Sequence, residues 1–195
     1  MAWFERHFAE RDRVELGRLA ELHGLMKRWH DQLPFLPFAT MEEFSGRPEH
    51  HLGENTAEEW LEGIAVELRA RLQLWEKAIR AKEKENASLI SRALRLTEEE
   101  ALRYTSEQWK KVRPEFFPSV FPVFSAYRET PFYSLFRDAI LMVRQTTDEV
   151  TFTTGHPMME MEIAWMRGFV TYMRPSIIIE SKTVGGRSAF HWREN

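Results

Sequence analysis

From Leu61 onward, apolar side chains recur at alternating steps of four and three residues, at Leu61, Ala65, Leu68, Leu72, Trp75 and Ile79. The same register continues through Lys82, Asn86, Leu89, Ala93 and Leu96. That spacing lays one stripe along one side of an α-helix, and a strand, with its period of two, cannot carry it. The segment opens on Thr56-Ala57-Glu58-Glu59, a capping box: the threonine hydroxyl accepts a first-turn backbone N–H while Glu59 reaches back to the cap. Unbroken to Leu96, the helix would be a rod of about 60 Å. Lys82 and Asn86 fall on the stripe, where they mark either a break or a polar contact that specifies a partner.

The rest of the chain reads around this helix. Residues 3–30 carry Phe4, Phe8, Leu16, Leu19, Leu22, Met26 and Trp29 at mostly three- and four-residue steps, which predicts an amphipathic helix. Residues 31–55 have no period and contain Pro34, Pro37, Gly46, Pro48 and Gly53, so they form a long loop; loops of that length are usually functional or pinned against something. A second capping box, Thr97 to Glu100, predicts a new helix over 98–112 that ends before Pro114. Pro114, Pro118 and Pro122, set among Phe116, Phe117, Phe121 and Phe124, prevent a long helix across 114–136. Residues 132–145 are expected to return to helix, and Thr146 to Gly155, with Val150 and Phe152, to form a strand ending in a turn. Pro157 suits the first position of a short helix to about Gly168. Phe169 to Met173 and Ser176 to Val184 read as two strands broken at Pro175, followed by a Gly185-Gly186 turn and an aromatic tail, Phe190 and Trp192.

The fold class is therefore α+β, mainly helical: a long amphipathic helix packed with two or three others, plus a small C-terminal β element. Residues 1–145 make a helical domain with loop 31–55 and the aromatic/proline segment 114–136, and residues 146–195 a small α/β appendage of the same folding unit. Hydrophobic residues at 43% and charged residues at 29% are those of an ordinary globular chain, with neither a disorder-prone composition nor a membrane-length apolar run. With no cysteine, thiolate chemistry, disulfides and cysteine metal sites are excluded. A cytoplasmic location without a signal peptide is the expectation.

The net charge of −3 hides a basic block at Arg69, Arg71, Lys77, Arg80, Lys82, Lys84, Arg92 and Arg95, with Trp75 in its midst. Such a helix, residues 69–95, could follow a phosphate backbone, which makes a nucleic-acid-binding adaptor one alternative. Against it, Trp75 belongs to the apolar stripe, and Glu76 and Arg80 form an i,i+4 pair.

Catalytic chemistry has one foothold, Ile177-Ile178-Ile179-Glu180-Ser181-Lys182. A strand ending in Glu-x-Lys resembles the half-motif of metal-dependent nucleases of the restriction-endonuclease-like superfamily. That resemblance implies Mg²⁺ held by Glu180 with an upstream acid, Glu160 or Glu162, and Lys182 steadying the attacking water. Glu160 and Glu162, however, fall in a predicted helix, so the expectation is an ion pair on the solvent face of a strand. Tyr172, Pro175, Glu180-Ser181-Lys182, Arg193 and Asn195 are also similar to the end of the nitrile oxidoreductases of queuosine biosynthesis; those enzymes use a nucleophilic cysteine, which this chain lacks. His156, Met158, Met159 and Met161 offer soft copper ligands, but their helical spacing predicts packing. His23 and His30 stand two turns apart, and His50 and His51 lie in the long loop. No phosphate loop, nucleophile elbow or zinc-protease motif is present, and no metal or cofactor is expected.

The function expected from these features is non-enzymatic: an interaction or structural subunit, self-associating or adaptor-like. Its contacts would be Leu61, Leu68, Leu72, Trp75 and Ile79 on the seam, Phe116, Phe117, Phe121 and Phe124 on aromatic–proline arms, and the charges of Arg80 and Lys84. Its partners would be other protein subunits or copies of itself, with nucleic acid as an alternative and no membrane.

Overall fold

A computed structural model describes residues 9–39, 41, 56–83, 88–110, 116–135, 140–154 and 160–195. Among them are six helices and one antiparallel sheet, in agreement with the mainly helical α+β class. Contacts divide the chain into two units, Met1–Ala78 and Ile79–Asn195, the boundary falling near the end of a helix.

The first unit is built on α1 (Glu10–Gln32) and most of α2 (Ala57–Glu83). Both helices bury a four-three stripe: Leu19, Leu22, Met26 and Trp29 on α1, and Leu61, Leu68, Leu72 and Trp75 on α2. Arg11 pairs with Glu58 at 3.2 Å near the start of both helices, and the Trp29 and Trp75 rings meet edge to face at 6.4 Å near their ends. The two helices therefore run parallel, and the chain must travel the length of α1 in reverse to connect them. The first residues of the connection do so against both helices. Leu36 O accepts from His30 Nδ1 at 2.7 Å, Pro37 O from the Trp75 indole at 2.6 Å, Ala39 O from Arg71, and Met41 N–H donates to His23 Nε2 at 3.4 Å. Phe38 stacks near both His23 and His30. Pro34 lies in a turn closed by Leu36 N–H donating to Leu33 O at 2.9 Å, and Leu33, Leu36 and Met41 are the buried side chains of this return strap.

The Thr56 box forms as its sequence dictates, Thr56 N–H donating to Glu59 at 2.8 Å and Glu59 N–H to the Thr56 hydroxyl at 3.2 Å. Along the long stripe, α2 is described as far as Glu83 and the next helix from Leu89, with Ser88 a turn residue ahead of it; residues 84–87, with Lys84 and Asn86, lie outside the described residues. The helix expected to begin at Thr97 instead runs from Leu89 to Trp109 as α3. Thr97 is fully buried in its interior, its hydroxyl donating to Ala93 O at 2.9 Å, so a core position and not a cap selects it.

In the second unit, α3 packs on α6 (Glu160–Met173). Ala93, Thr97, Ala101 and Thr105 put a ridge of small residues on α3, and Gly168 of α6 lies against it. Between these helices in sequence come α4 (Val120–Tyr127), α5 (Pro131–Ser134), β1 (Ile140–Gln145) and β2 (Glu149–Thr154), followed after α6 by β3 (Ile177–Val184) and β4 (Arg187–Glu194). The sheet order is β1-β2-β4-β3, antiparallel throughout. Gly185 and Gly186, at φ of 57° and 76°, make the two-residue β3–β4 turn that other side chains would strain.

Two expectations are corrected here. The helix over 132–145 gives way to the short α5 and to β1, because Ile140 to Gln145 find backbone partners in β2. Phe169 to Met173 are helix, not strand, because Met166, Phe169, Val170 and Met173 share the buried face of α6. The core joins that face to the sheet's inner face: Phe132 stacks on Trp165 at 4.5 Å, Phe124 meets Phe152 and Trp192 at 5.3 and 5.4 Å, and Tyr127 meets Phe169 and Trp192 at 5.4 and 5.3 Å. Burial pushes the Tyr127 hydroxyl pKa well above its ordinary value, with the charge of buried Glu162 acting in the same direction.

Candidate interaction surface on the C-terminal sheet

Strand alternation sorts the sheet into two chemistries. Val150, Phe152 and Thr154 of β2 and Ser188, Phe190 and Trp192 of β4 are buried inward. Glu149, Thr151 and Thr153, Arg187, Ala189, His191 and Arg193, and Ile178, Glu180 and Lys182 share the other face. Pairing sets Glu180 opposite His191 and Glu149 opposite Arg193. The result is a charged row: Arg193 donates to Glu180 at 2.8 Å, and His191 sits 3.8 Å from Glu180 on one ring nitrogen and 3.8 Å from Glu149 on the other. The Arg193 guanidinium holds the Glu180 carboxyl below the usual carboxylate range, with smaller help from His191.

The base of β3 is clamped. Arg174 Nε donates to both oxygens of Glu194 at 3.0 and 2.9 Å, Ser176 donates to the same carboxylate, and Arg174 also reaches Phe117 O at 3.3 Å. Beyond the clamp, Glu180, Ser181, Lys182 and Thr183 are exposed, and among the described residues β3 pairs on one side only. β3 is an unbroken run of eight residues all in register with β4, whereas the opposite edge, β1, slips register between Ile140 and Met142.

The residues singled out from sequence fall into separate places. Leu61, Leu68, Leu72, Trp75 and Ile79 are buried within the chain, as is Phe124; Phe121 and Phe117 are half-buried, and Phe116 is 69% exposed. The aromatic–proline segment thus turns most of its rings inward. Arg80 pairs with Glu160 at 2.6 Å, and Lys84 lies outside the described residues. Within the basic stretch, Arg71 is engaged by Glu67 at 3.1 Å and Arg95 by Glu99 at 3.5 Å. Glu162 does not join Glu180 and Lys182: it is fully buried among the aromatics under the inner face, and Glu180 stands on the outer one. The two carboxylates cannot share an ion through the sheet. His156, Met158 and Met159, and His50 and His51, lie outside the described residues. His23 and His30 are taken up by the strap.

Sequence reasoning passed over Glu149 and His191. The period-two alternation of Arg187, Ala189, His191 and Arg193 with Ser188, Phe190 and Trp192 is the signal that marks a half-buried strand and its outward face. Compared with known proteins, the chain matches no family model and no curated sequence.

Proposed function

We propose that this chain is a non-enzymatic subunit that works by associating with protein chains, copies of itself included, and that its contact surface is the C-terminal sheet. The observation that carries the reading is the exposed stretch Glu180 to Thr183 on an edge strand of unbroken register beside a solvated charged face. An edge of that kind presents unpaired backbone donors and acceptors, the commonest template for adding another strand. The arrangement of the chemistry-bearing residues favours association over catalysis: Glu180 is engaged by Arg193 and His191 on an open face, and Glu162 is on the other side of the sheet. The seam and the inward aromatics stabilise the chain itself.

Sedimentation equilibrium tests the reading. The expected result is a mass above 23.2 kDa at concentrations up to about 100 μM, where micromolar contacts are populated. A mass of 23.2 kDa throughout that range would overturn self-association.

A further inference from the structure

Resting on that reading, we infer that the partner is a second copy of this chain, joined β3 to β3 across a two-fold axis at Ser181. The backbone sets which groups are offered. The two-residue turn at Gly185-Gly186 makes Val184 and Arg187 a hydrogen-bonded pair, and alternation from there gives the pairs 182/189, 180/191 and 178/193. The N–H and C=O groups of Ile179, Ser181 and Thr183 therefore point away from β4. Ile177, next in that series, is already used, its N–H donating to Arg174 O at 3.0 Å.

An antiparallel second copy centred on Ser181 sets Ile179 opposite the other Thr183 and Ser181 opposite its own image. Those pairs exchange about six main-chain hydrogen bonds. Between them, Glu180 faces the second copy's Lys182, and Lys182 the second copy's Glu180, in the closer, non-hydrogen-bonded positions. Both pairs lie on the outer face, because directly opposed residues share a face. The charge pattern selects this register. Sliding by two residues in either direction sets Glu180 against Glu180 or Lys182 against Lys182, and sliding by one mismatches the backbone groups. The β1 edge, with its register slip, offers no such continuous run.

Two single reversals make the test on the full chain. Lys182→Glu leaves only acidic groups at these positions and Glu180→Lys only basic ones, so each alone is expected to weaken self-association at least tenfold. Mixed in equal amounts, the two variants pair acid with base at both positions, and the mixture should return to within about threefold of the wild-type dissociation constant. A folding defect in either variant cannot be repaired by mixing, which separates the register from simple destabilisation. Because the chain has no cysteine, Ser181→Cys should cross-link to a dimer under mild oxidation, while Thr183→Cys, which faces Ile179, should not. A wild-type chain that is monomeric overturns the inference and the self-association half of the proposed function, while association with other protein chains would fall only if the chain also recovered no protein partner. A dimer untouched by the reversals, or unrescued by mixing, overturns only the register and the edge.

Discussion

A methyl group added at Gly168 would lie 2.3 Å from the Glu98 carbonyl oxygen and 2.9 Å from its Cα, and neither backbone atom can step aside without moving α3. Gly168→Ala should therefore lower the unfolding free energy by about 3 kcal/mol, measured by denaturant titration. An unchanged midpoint would mean that α3 and α6 do not approach this closely. Glu194 governs a different response. Its carboxyl is held below the ordinary value of 4.5, first by the Arg174 hydrogen bonds and then by Ser176. A depressed pKa contributes stability that is present above 4.5 and lost as pH falls through the lowered value. Glu194→Gln should flatten the acid limb of thermal stability while leaving its shape near neutrality; an acid limb as steep as wild type would place the titration elsewhere. Of the outer-face row, Glu180 and Lys182 were legible in the sequence because they follow an apolar run on the same strand. His191 and Glu149 were not, because what joins them is strand pairing across 42 positions of sequence, which no local pattern carries.

At the scale of the element, two copies of one motif had opposite outcomes. Thr56 to Glu59 and Thr97 to Glu100 both fit a capping box, but only the first stands at a helix start, Thr56 immediately preceding Ala57 of α2. The second sits where a helix is already under way, and its threonine is a core residue whose hydroxyl is met by Ala93 O. A cap and a buried interior threonine differ in what precedes them and in tertiary burial, and a four-residue window contains neither. The α2 stripe was legible outright, since helical period and burial coincide along it. Which partner it faces was not. Leu68, fully buried within the chain, supplies the check: Leu68→Ala should cost about 3 kcal/mol of stability and leave the sedimentation mass unchanged. A shifted mass with stability intact would show that the stripe faces another subunit.

Contacts divide the whole molecule near residue 78, α3 packing on α6 in one unit and α1 with its strap packing on α2 in the other. Paired surface charges in the β3 register should make association salt-sensitive, a several-fold rise in dissociation constant between about 50 and about 500 mM salt; an association that ignores salt would argue against Glu180 and Lys182 facing each other. No described helix is long and apolar enough to cross a membrane. The parallel arrangement of α1 and α2 has a consequence in time. Trp29 meets Trp75, and a ribosome adding about 5–20 residues per second needs several seconds to make the stretch between them. Throughout that interval the strap can already lie on α1, but the face that α2 covers stays open, so a nascent chain stalled before residue 75 would offer that face to a chaperone.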